Sequence, residues 1–319
     1  MVQCPLHHQG GISWLLCVMA ASAQLVICDA FEPEDILKQI QRYHVTYLLL
    51  LPPSTYLRLI DIPNFKEFNL TSVKLVQMSA GGTSPEIILK TYEAFPNCEI
   101  NYGWGQTESG AGTSSVLTRE MASNHSEKIN SVGRAMPFFE LRIVDEQGRD
   151  VQVGEVGECI VRGPSIMSGY FNQPELTAKT LKEGWVHTGD MFKQGQDGYY
   201  YIMDRKKDMI KTGGENVFAQ EVEGVIRSHP AIQDCAVIGV PDSLFGEAVM
   251  SVIKLRTGYT LTAEELQEYC KKQLSSYKKP RYIDFVDSFP VDSAGKIQKF
   301  RLREMYKTFL LALNKSSLG

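Results

Sequence analysis

Residues 34–51 read EDILKQIQRYHVTYLLLL, and they decide the class of the fold. Ile36, Leu37 and Ile40 recur at the spacing of one face of an amphipathic helix. An unbroken apolar run at 45–51 follows the helix directly. A strand that is apolar on both faces is typical of a parallel sheet covered by helices. This stretch therefore predicts one helix-and-strand unit of an α/β fold.

The alternation of helix and strand continues along the chain. A short apolar run at 73–78 predicts a second strand. A helix is predicted from Ser84 to Phe95, because Pro85 suits the first position of a helix. Strands separated by helices are typical of a largely parallel sheet. The first part of the sequence therefore predicts a large α/β domain.

The stretch 12–28 carries no charged residue, so a membrane segment has to be considered. It falls short of the roughly 20 apolar residues that a spanning helix needs, and Gln24 interrupts it. It also lacks the basic flank and the cleavage site of a signal peptide. We predict a buried helix at 12–23 and a buried strand at 25–28, no integral membrane segment, and a cytoplasmic location.

The pattern changes near Val132 and again after Asp204. Short strand-like runs between tight turns predict an antiparallel β subdomain attached to the large domain. These runs are 139–144, 155–162 and 199–203. After Asp204 the pattern predicts a small α+β domain. Its expected helices are 219–228 and 262–274, and its expected strands are 233–240, 248–255 and 282–286.

The second helix of the small domain has a clear start. Thr262 suits the N-cap, and Glu265 stands at the capping-box position three residues later. The expected domains are 1–203, the C-terminal part of a large α/β domain, and 204–319, a small α+β lid. A hinge is expected near 204–207.

Composition limits the classes of partner. The formal net charge of -4 and the pI of about 5.9 argue against a nucleic-acid-binding protein. The seven cysteines are scattered without metal-like spacing, which predicts free thiols in a reducing compartment. Nothing in the sequence indicates an oligomeric state.

Three glycine-containing polar clusters suit a phosphorylated ligand, because glycines let backbone N–H groups approach it closely. They read MSAGGTS at 78–84, NYGWGQTES at 101–109 and DRKKDMIKTGGEN at 204–216. Each also has an ordinary interpretation. The first is equally a strand-to-helix turn, the second a turn beside a core tryptophan, and the third a solvated charged surface.

Several common motifs are excluded. The lysine of Gly295-Lys296-Ile297 has no Ser or Thr after it, so this is not a Walker A loop. No GxGxxG follows a strand, and no GxSxG nucleophile elbow is present. His7-His8 lacks further ligands at zinc spacing.

Taken together, seven motifs resemble the adenylate-forming superfamily of acyl-CoA synthetases, coumarate-CoA ligases and luciferases. In chain order they are Pro5-Leu6-His7-His8, Ala80-Gly81-Gly82, WGQTE at 104–108, TGD at 188–190, DRKKD at 204–208, KTGGEN at 211–216 and Gly295-Lys296-Ile297. The resemblance covers essentially the whole chain and is nearest to fatty-acid and small-acid CoA ligases.

The resemblance implies an AMP-forming acid–CoA ligase that uses ATP, Mg2+ and coenzyme A. In such enzymes a carboxylate attacks the α-phosphate of ATP, giving an acyl-adenylate and pyrophosphate. The small domain then rotates, and the CoA thiol attacks the adenylate. A mobile lid lets two reactions share one pocket.

The resemblance also assigns roles. Trp104 would stack on adenine in place of the family's usual Tyr, Thr107 would contact phosphate, and Glu108 would hold Mg2+. Lys296 would be the adenylation lysine and Lys211 would serve the thioester step. Lys207 would be the hinge residue, and His8 would lie near the acyl carboxylate. The implied cofactor-binding residues are Gly82, Thr83, Gly103, Trp104, Gly105, Asp190, Arg205, Gly213 and Gly214, with Asp190 and Arg205 on the ribose hydroxyls.

The sequence departs from the family in two places. The phosphate loop of the form TSGTTGxPK is absent, and it is expected to lie upstream of Met1 in a longer large domain. On this basis we expect the chain alone to be poorly competent in adenylation. Asp292, close before Lys296, is an acid where the family usually has a basic residue.

Two other functions stay open. The chain could load a carrier protein instead of free CoA, or it could bind nucleotide or CoA without catalysis. A luciferase-like oxidation has no support among the residues. The resemblance implies a fatty or other small organic acid as the substrate.

Overall fold

The structure is a computed structural model that describes residues 1–4, 6–28, 30–51, 53–79, 83–124, 126–292 and 295–316. It contains two compact units. The first comprises Met1–Thr188 and Phe192–Ile202, and the second comprises Gly189–Met191 and Met203–Gly319. Their assignment as part of a large domain and as a lid stays a prediction.

The first unit alternates helices and strands before it becomes purely β. Its helices are α1 Gln9–Ala20, α2 Pro33–Tyr43, α3 Ser54–Ile60, α4 Pro85–Ala94, α5 Arg119–Ser123 and α6 Pro174–Thr180. Its strands are β1 Val2–Gln3, β2 Tyr47–Leu50, β3 Leu75–Met78, β4 Glu99–Gln106, β5 Gly110–Leu117, β6 Ser131–Ala135, β7 Glu140–Val144, β8 Val156–Arg162, β9 Leu181–Lys182, β10 Trp185–Gln194 and β11 Tyr200–Arg205. The last two strands extend into the second unit.

These strands form one sheet, in the order β1-β2-β3-β4-β5-β6-β11-β10-β8-β7, with β9 paired to β10. Strands β1 to β4 are parallel, and pairing is antiparallel from β4–β5 onward to β6 and β11. The predicted α/β class with a parallel sheet is confirmed. The antiparallel strands continue the same sheet instead of forming a separate one.

The stretch that decided the fold forms the predicted elements. Helix α2 buries Ile36, Leu37 and Ile40, and strand β2 is buried from Leu48 to Leu50. Helix α4 begins after Ser84, whose hydroxyl accepts a hydrogen bond from the amide of Ile87, with proline at the first helical position. Helical periodicity and capping chemistry predicted both helices correctly.

The predicted buried helix at 12–23 is wrong in its burial. Helix α1 forms, but Gly11 is its one buried residue, while Ile12, Leu16 and Met19 are exposed. Trp14 packs on Tyr47, with ring centroids 4.4 Å apart. The helix is apolar all round, so one packed face leaves the other apolar faces in solvent within the described structure.

The predicted buried strand at 25–28 is reduced to one parallel bridge between Ile27 and Val2, and Ile27 is exposed. No helix among the described residues is long and apolar enough to cross a membrane.

The second unit is a sheet with helices on both faces. Its strands are β12 Ile210–Thr212, β13 Glu215–Val217, β14 Ile232–Asp242, β15 Gly246–Leu255 and β16 Tyr282–Phe285. Its helices are α7 Ala219–Arg227, α8 Ala263–Lys271 and α9 Lys299–Ser316. The strand order is β13-β12-β15-β14, with β16 parallel to β15.

Alternate residues of β14 point to opposite faces of this sheet. Val237 belongs to the core under α7 and α8, whereas Ala236 and Ile238 belong to the core under α9. The capping box of Thr262 and Glu265 is present at the start of α8, as predicted. The predicted α+β character of this part of the chain is therefore confirmed.

Candidate active site

The second glycine cluster lies mostly within a strand. Asn101–Gln106 belong to β4, and the turn at 107–109 connects it to β5. A Cβ on Gly103 would lie 2.4 Å from the carbonyl oxygen of Thr113, and one on Gly105 would lie 2.3 Å from that of Gly110. Both positions require glycine because β5 approaches too closely for any side chain. The alternative interpretation of this cluster as a turn therefore holds only for residues 107–109.

Trp104 is held inside the first unit. It is 7% exposed and meets Phe192 edge-on, with ring centroids 5.1 Å apart. A Cβ on Gly112 would lie 2.7 Å from the indole ring. The ring thus has a packing role, and its predicted stacking on adenine stays a proposal.

The turn after β4 carries the predicted phosphate and metal residues. Thr107 is exposed and Glu108 is half-buried. The hydroxyl of Tyr170 donates a 2.8 Å hydrogen bond to Oε1 of Glu108. Burial is the largest of the causes that raise the pKa of Tyr170, and the Glu108 carboxylate adds to the rise. Tyr170 was not predicted, because nothing local in the sequence links positions so far apart.

A metal site made from protein ligands alone is not found in the described part of the chain, where no three His, Cys, Asp or Glu side chains are placed to share an ion. Nucleotide enzymes commonly hold Mg2+ with one or two carboxylates plus substrate phosphates and water. A single carboxylate on a fixed turn, Glu108, fits that mode.

The TGD motif follows on β10. Nε2 of Gln106 donates to the carbonyl oxygen of Thr188 at 3.0 Å. The Thr188 hydroxyl in turn donates to the carbonyl oxygen of Cys159 at 2.6 Å. These bonds tie the end of β4 to β10 within the first unit. They fix the backbone just before Gly189 and Asp190.

The proposed ribose pair lies together in the second unit. Nε of Arg205 is 3.4 Å from Oδ1 of the buried Asp190. Gly189 has φ of +68°, and its carbonyl accepts a 2.8 Å hydrogen bond from the amide of Lys206. A buried carboxylate beside an exposed guanidinium can accept hydrogen bonds from vicinal hydroxyls while its charge is balanced.

Three further residues that the resemblance assigned to ligand binding lie in the first unit, at positions 8, 82 and 83. Gly82 lies outside the described residues. The buried hydroxyl of Thr83 has no hydrogen-bond partner in the described ranges, so a polar ligand could satisfy it. Nδ1 of His8 accepts a 3.1 Å hydrogen bond from the amide of Gly10, so His8 caps α1. That contact gives His8 a structural role beside its predicted one.

The hinge motif is anchored at its two acids. Asp204 is 1% exposed and accepts hydrogen bonds from the amides of Arg205 and Ala219. Arg303 of α9 donates to Asp208 at 2.5 Å. Lys207, between these anchors, is exposed. The acids of this motif are structural, and they were not singled out from the sequence.

The thioester residues lie on a tight hairpin. Gly213 and Gly214, with φ of +58° and +86°, form the two-residue turn between β12 and β13. The amide of Gly213 donates to the carbonyl of Phe245 at 2.9 Å. Lys211 is exposed, and its amide is held by Glu247 at 2.8 Å. Positive φ at both turn positions explains the paired glycines.

Lys296 sits on a second small turn. Its amide donates to Oδ1 of Asp292 at 3.0 Å, and the amide of Asp292 donates back to the Lys296 carbonyl at 2.9 Å. Gly295 supplies φ of +77°. The acid at 292, which departs from the family pattern, therefore shapes the turn that carries the lysine.

The structure brings the predicted residues together in separate groups. Trp104, Thr107 and Glu108 share the β4 hairpin, and Asp190 is paired with Arg205. Lys211 shares its hairpin with Gly213 and Gly214, whereas Lys296 lies on a turn of its own.

Comparison with known proteins gives a consistent result. Residues 1–171 match the family described as AMP-binding enzyme, and residues 221–296 match the AMP-binding enzyme C-terminal domain. The chain is 36% identical over 311 residues to the medium/long-chain-fatty-acid–CoA ligase FadD8 of Mycobacterium tuberculosis, covering 95% of this chain and 53% of that protein. It is 33% identical to a feruloyl-CoA synthase of Amycolatopsis sp., covering 96% and 61%.

Solved structures agree. ATP-bound MatB from Rhodopseudomonas palustris superposes with a TM-score of 0.84 at 29% identity, covering 96% of this chain and 59% of that one. The o-succinylbenzoate-CoA synthetase MenE of Bacillus subtilis, in complex with ATP and a magnesium ion, gives 0.82 at 28% identity, covering 95% and 60%. This chain spans about half the length of the first curated relatives it matches. With a family match over more than half of its residues, the chain belongs to the AMP-binding enzymes.

Proposed function

We propose that this protein activates a carboxylic acid with ATP through an acyl-adenylate and transfers the acyl group to coenzyme A. The β4 hairpin carries the proposal. It carries the aromatic ring of Trp104 near the end of β4, and the hydroxyl of Thr107 and the carboxylate of Glu108 follow on the turn after that strand. Relatives named as acid–CoA ligases support the same reaction class.

In the adenylation step, the hairpin would orient the nucleotide. Trp104 would stack on adenine while its ring keeps the T-shaped contact with Phe192. Asp190, balanced by Arg205, would accept hydrogen bonds from the ribose hydroxyls. Fixing base and sugar in this way would place the α-phosphate before the acid arrives.

Charge on the phosphates has to be balanced. Glu108 would hold Mg2+, which when bound offsets phosphate charge. The exposed Thr107 hydroxyl would donate to a phosphate oxygen. Lys296 would place its ammonium near the charge that develops at the α-phosphate, and the Asp292 turn fixes the backbone from which that side chain extends.

For thioester formation, we propose a different set of residues. Gly213 and Gly214 would leave room for the pantetheine arm, because neither has a side chain at the turn. The exposed Lys211 next to them would contact the anionic parts of CoA or of the adenylate. Lys207 would be the residue whose backbone rotates between the two steps. The acid is proposed to be a fatty or other small organic acid.

The test separates the two half-reactions. The purified chain is incubated with Mg-ATP, CoA and a mixed pool of carboxylic acids, and mass spectrometry follows acyl-adenylate and acyl-CoA. Lys296→Ala is expected to lower adenylate formation by about 100-fold or more while leaving thioester formation from supplied acyl-adenylate within about threefold. Lys211→Ala is expected to show the reverse selectivity.

The matched control is Lys271→Ala, which removes an exposed lysine paired with Glu268 at 3.2 Å. It should leave both steps unchanged. ATP binding without product from any acid would agree with the expected poor competence of the chain alone in adenylation and would indicate a binding function for it. Product that forms equally well in Lys296→Ala would refute the role of that lysine. Transfer to a phosphopantetheinylated carrier, but not to free CoA, would favour carrier loading.

A further inference from the structure

A segment far along the chain, residues 165–180, holds the turn that carries Glu108. The hydroxyl of Ser165 donates to the carbonyl oxygen of Ser109 at 2.8 Å, and the amide of Met167 donates to that of Glu108 at 2.8 Å. The third contact, also 2.8 Å, is from the Tyr170 hydroxyl to Oε1 of Glu108. Two contacts therefore fix the backbone of the turn, and the third fixes the carboxylate itself.

The position of Tyr170 is itself fixed by hydrogen bonds. Its amide donates to the hydroxyl oxygen of Thr177 at 2.9 Å, and that hydroxyl donates to the carbonyl of Gln173 at 2.9 Å. A Cβ on Gly169, where φ is +151°, would lie 2.9 Å from the Thr177 side chain. The start of α6 thus packs tightly against the residues flanking Tyr170. Its phenol therefore starts from a defined backbone position.

The direction of the hydrogen bond matters for a metal ligand. The phenol can only donate to an ionised carboxylate, because the oxygens of that carboxylate carry no proton. Donation to Oε1 restricts rotation of the carboxylate. Partners of this kind orient metal-binding carboxylates, and their loss commonly costs about 10- to 100-fold in metal affinity.

The phenol is not needed to hold the turn at 107–109, because Ser165 and Met167 already hydrogen-bond the backbone of that turn. Within the described residues, Tyr170 is the one side chain that hydrogen-bonds the Glu108 carboxylate. We propose that Tyr170 is a positioning residue that orients the Glu108 carboxylate toward a divalent cation bound with the nucleotide. This inference rests on the proposed function, in which Glu108 holds Mg2+.

The test measures cation binding directly, with Mn2+ as the probe. Electron paramagnetic resonance gives the Mn2+ affinity of the full chain with ATP, for wild type, Tyr170→Phe and Glu108→Gln. Affinity for ATP without metal is measured in EDTA. The matched control is Tyr92→Phe, which removes another phenol of the first unit that donates to a backbone carbonyl, that of Leu117, at 2.6 Å.

We expect Tyr170→Phe to weaken Mn2+ binding by about tenfold or more, with metal-free ATP affinity and the Tyr92→Phe control unchanged. Unchanged Mn2+ affinity in Tyr170→Phe, beside a loss in Glu108→Gln, would overturn the inference and leave the proposed function standing. Equal Mn2+ affinity in Glu108→Gln and wild type would instead show that Glu108 is not a metal ligand. That result would remove both the positioning role of Tyr170 and the Mg2+ role of Glu108 in the proposed function. A parallel loss of metal-free ATP binding in Tyr170→Phe would also overturn the positioning role.

Discussion

The carboxylate of Asp204 caps helix α7 by accepting a hydrogen bond from the backbone amide of Ala219. It also accepts from the amide of Arg205 at 2.7 Å. Burial is the largest influence and raises the pKa of Asp204 to about 6, with Glu223 adding to the rise and Lys299 and the two amides opposing it. The pKa of this carboxyl group at the proposed hinge therefore lies well above that of an ordinary aspartate.

The raised pKa of Asp204 predicts a specific pH dependence of stability. The folded state binds this proton more tightly than the unfolded state, whose pKa is near 3.8. Its contribution to the free energy of unfolding is thus full below about pH 3.8 and is lost as the pH rises through about 6, a change of about 3 kcal/mol. Urea unfolding of wild type and Asp204→Asn at several pH values isolates the contribution of Asp204 to the free energy of unfolding. A stability difference that stays constant from pH 4 to 7 would contradict this linkage.

A buried ion pair in the second unit should be sensitive to loss of one partner. Nζ of Lys299 lies 2.7 Å from Oε1 of Glu223, whose side chain is 5% exposed. Lys299→Met is expected to lower the free energy of unfolding by about 2–3 kcal/mol, because it leaves a buried carboxylate with weaker compensation. The remaining contacts of Glu223, from Arg227 at 3.3 Å and the amide of Val237 at 2.8 Å, keep the loss moderate.

Urea unfolding of matched variants checks the ion-pair prediction. The exposed pair Lys271–Glu268, at 3.2 Å, serves as control, and Lys271→Ala should change stability by less than about 0.5 kcal/mol. Adding Glu223→Gln to Lys299→Met should recover part of the loss, since the uncompensated charge is removed. If the double variant is less stable than Lys299→Met, buried charge is not the cause.

Two glycines of the second unit should respond in opposite directions to alanine. Gly214 has φ of +86° and open space where a Cβ would lie, so Gly214→Ala is expected to cost about 1–2 kcal/mol from backbone strain alone. Gly224 lies inside α7 with equally open space, and Gly224→Ala should gain about 0.5–1 kcal/mol. Thermal unfolding of both variants compares them. Equal effects would show that backbone conformation does not govern these sites.

The elements that the sequence predicted well are those decided by local pattern. Ile36, Leu37 and Ile40 specify the buried face of α2 by spacing alone, and Thr262 with Glu265 marks the start of α8. Burial of α1 could not be predicted in this way. A helix that is apolar on all sides does not indicate which side finds a partner.

Strand β4 shows a second limit. Gly103 and Gly105 lower strand propensity, so the local pattern favours a turn, yet the close approach of β5 requires them. The resemblance supplied Glu108, but its partner Tyr170 is 62 positions away along the chain. Asp208 and Arg303 are 95 positions apart. Such contacts depend on topology, which local patterns do not contain.

Phe138 combines a strained backbone with an exposed ring. Its φ is +69°, and it is 89% exposed, so the strain is not offset by packing. Phe138→Asn should raise the free energy of unfolding by about 0.5–1 kcal/mol, because asparagine tolerates the left-handed region better. Phe171, 91% exposed and without positive φ, is the control, and Phe171→Asn should change stability by less than about 0.5 kcal/mol. Equal gains in urea unfolding would assign the effect to lost surface hydrophobicity, and a loss at Phe138 alone would show that its ring has a partner in solution.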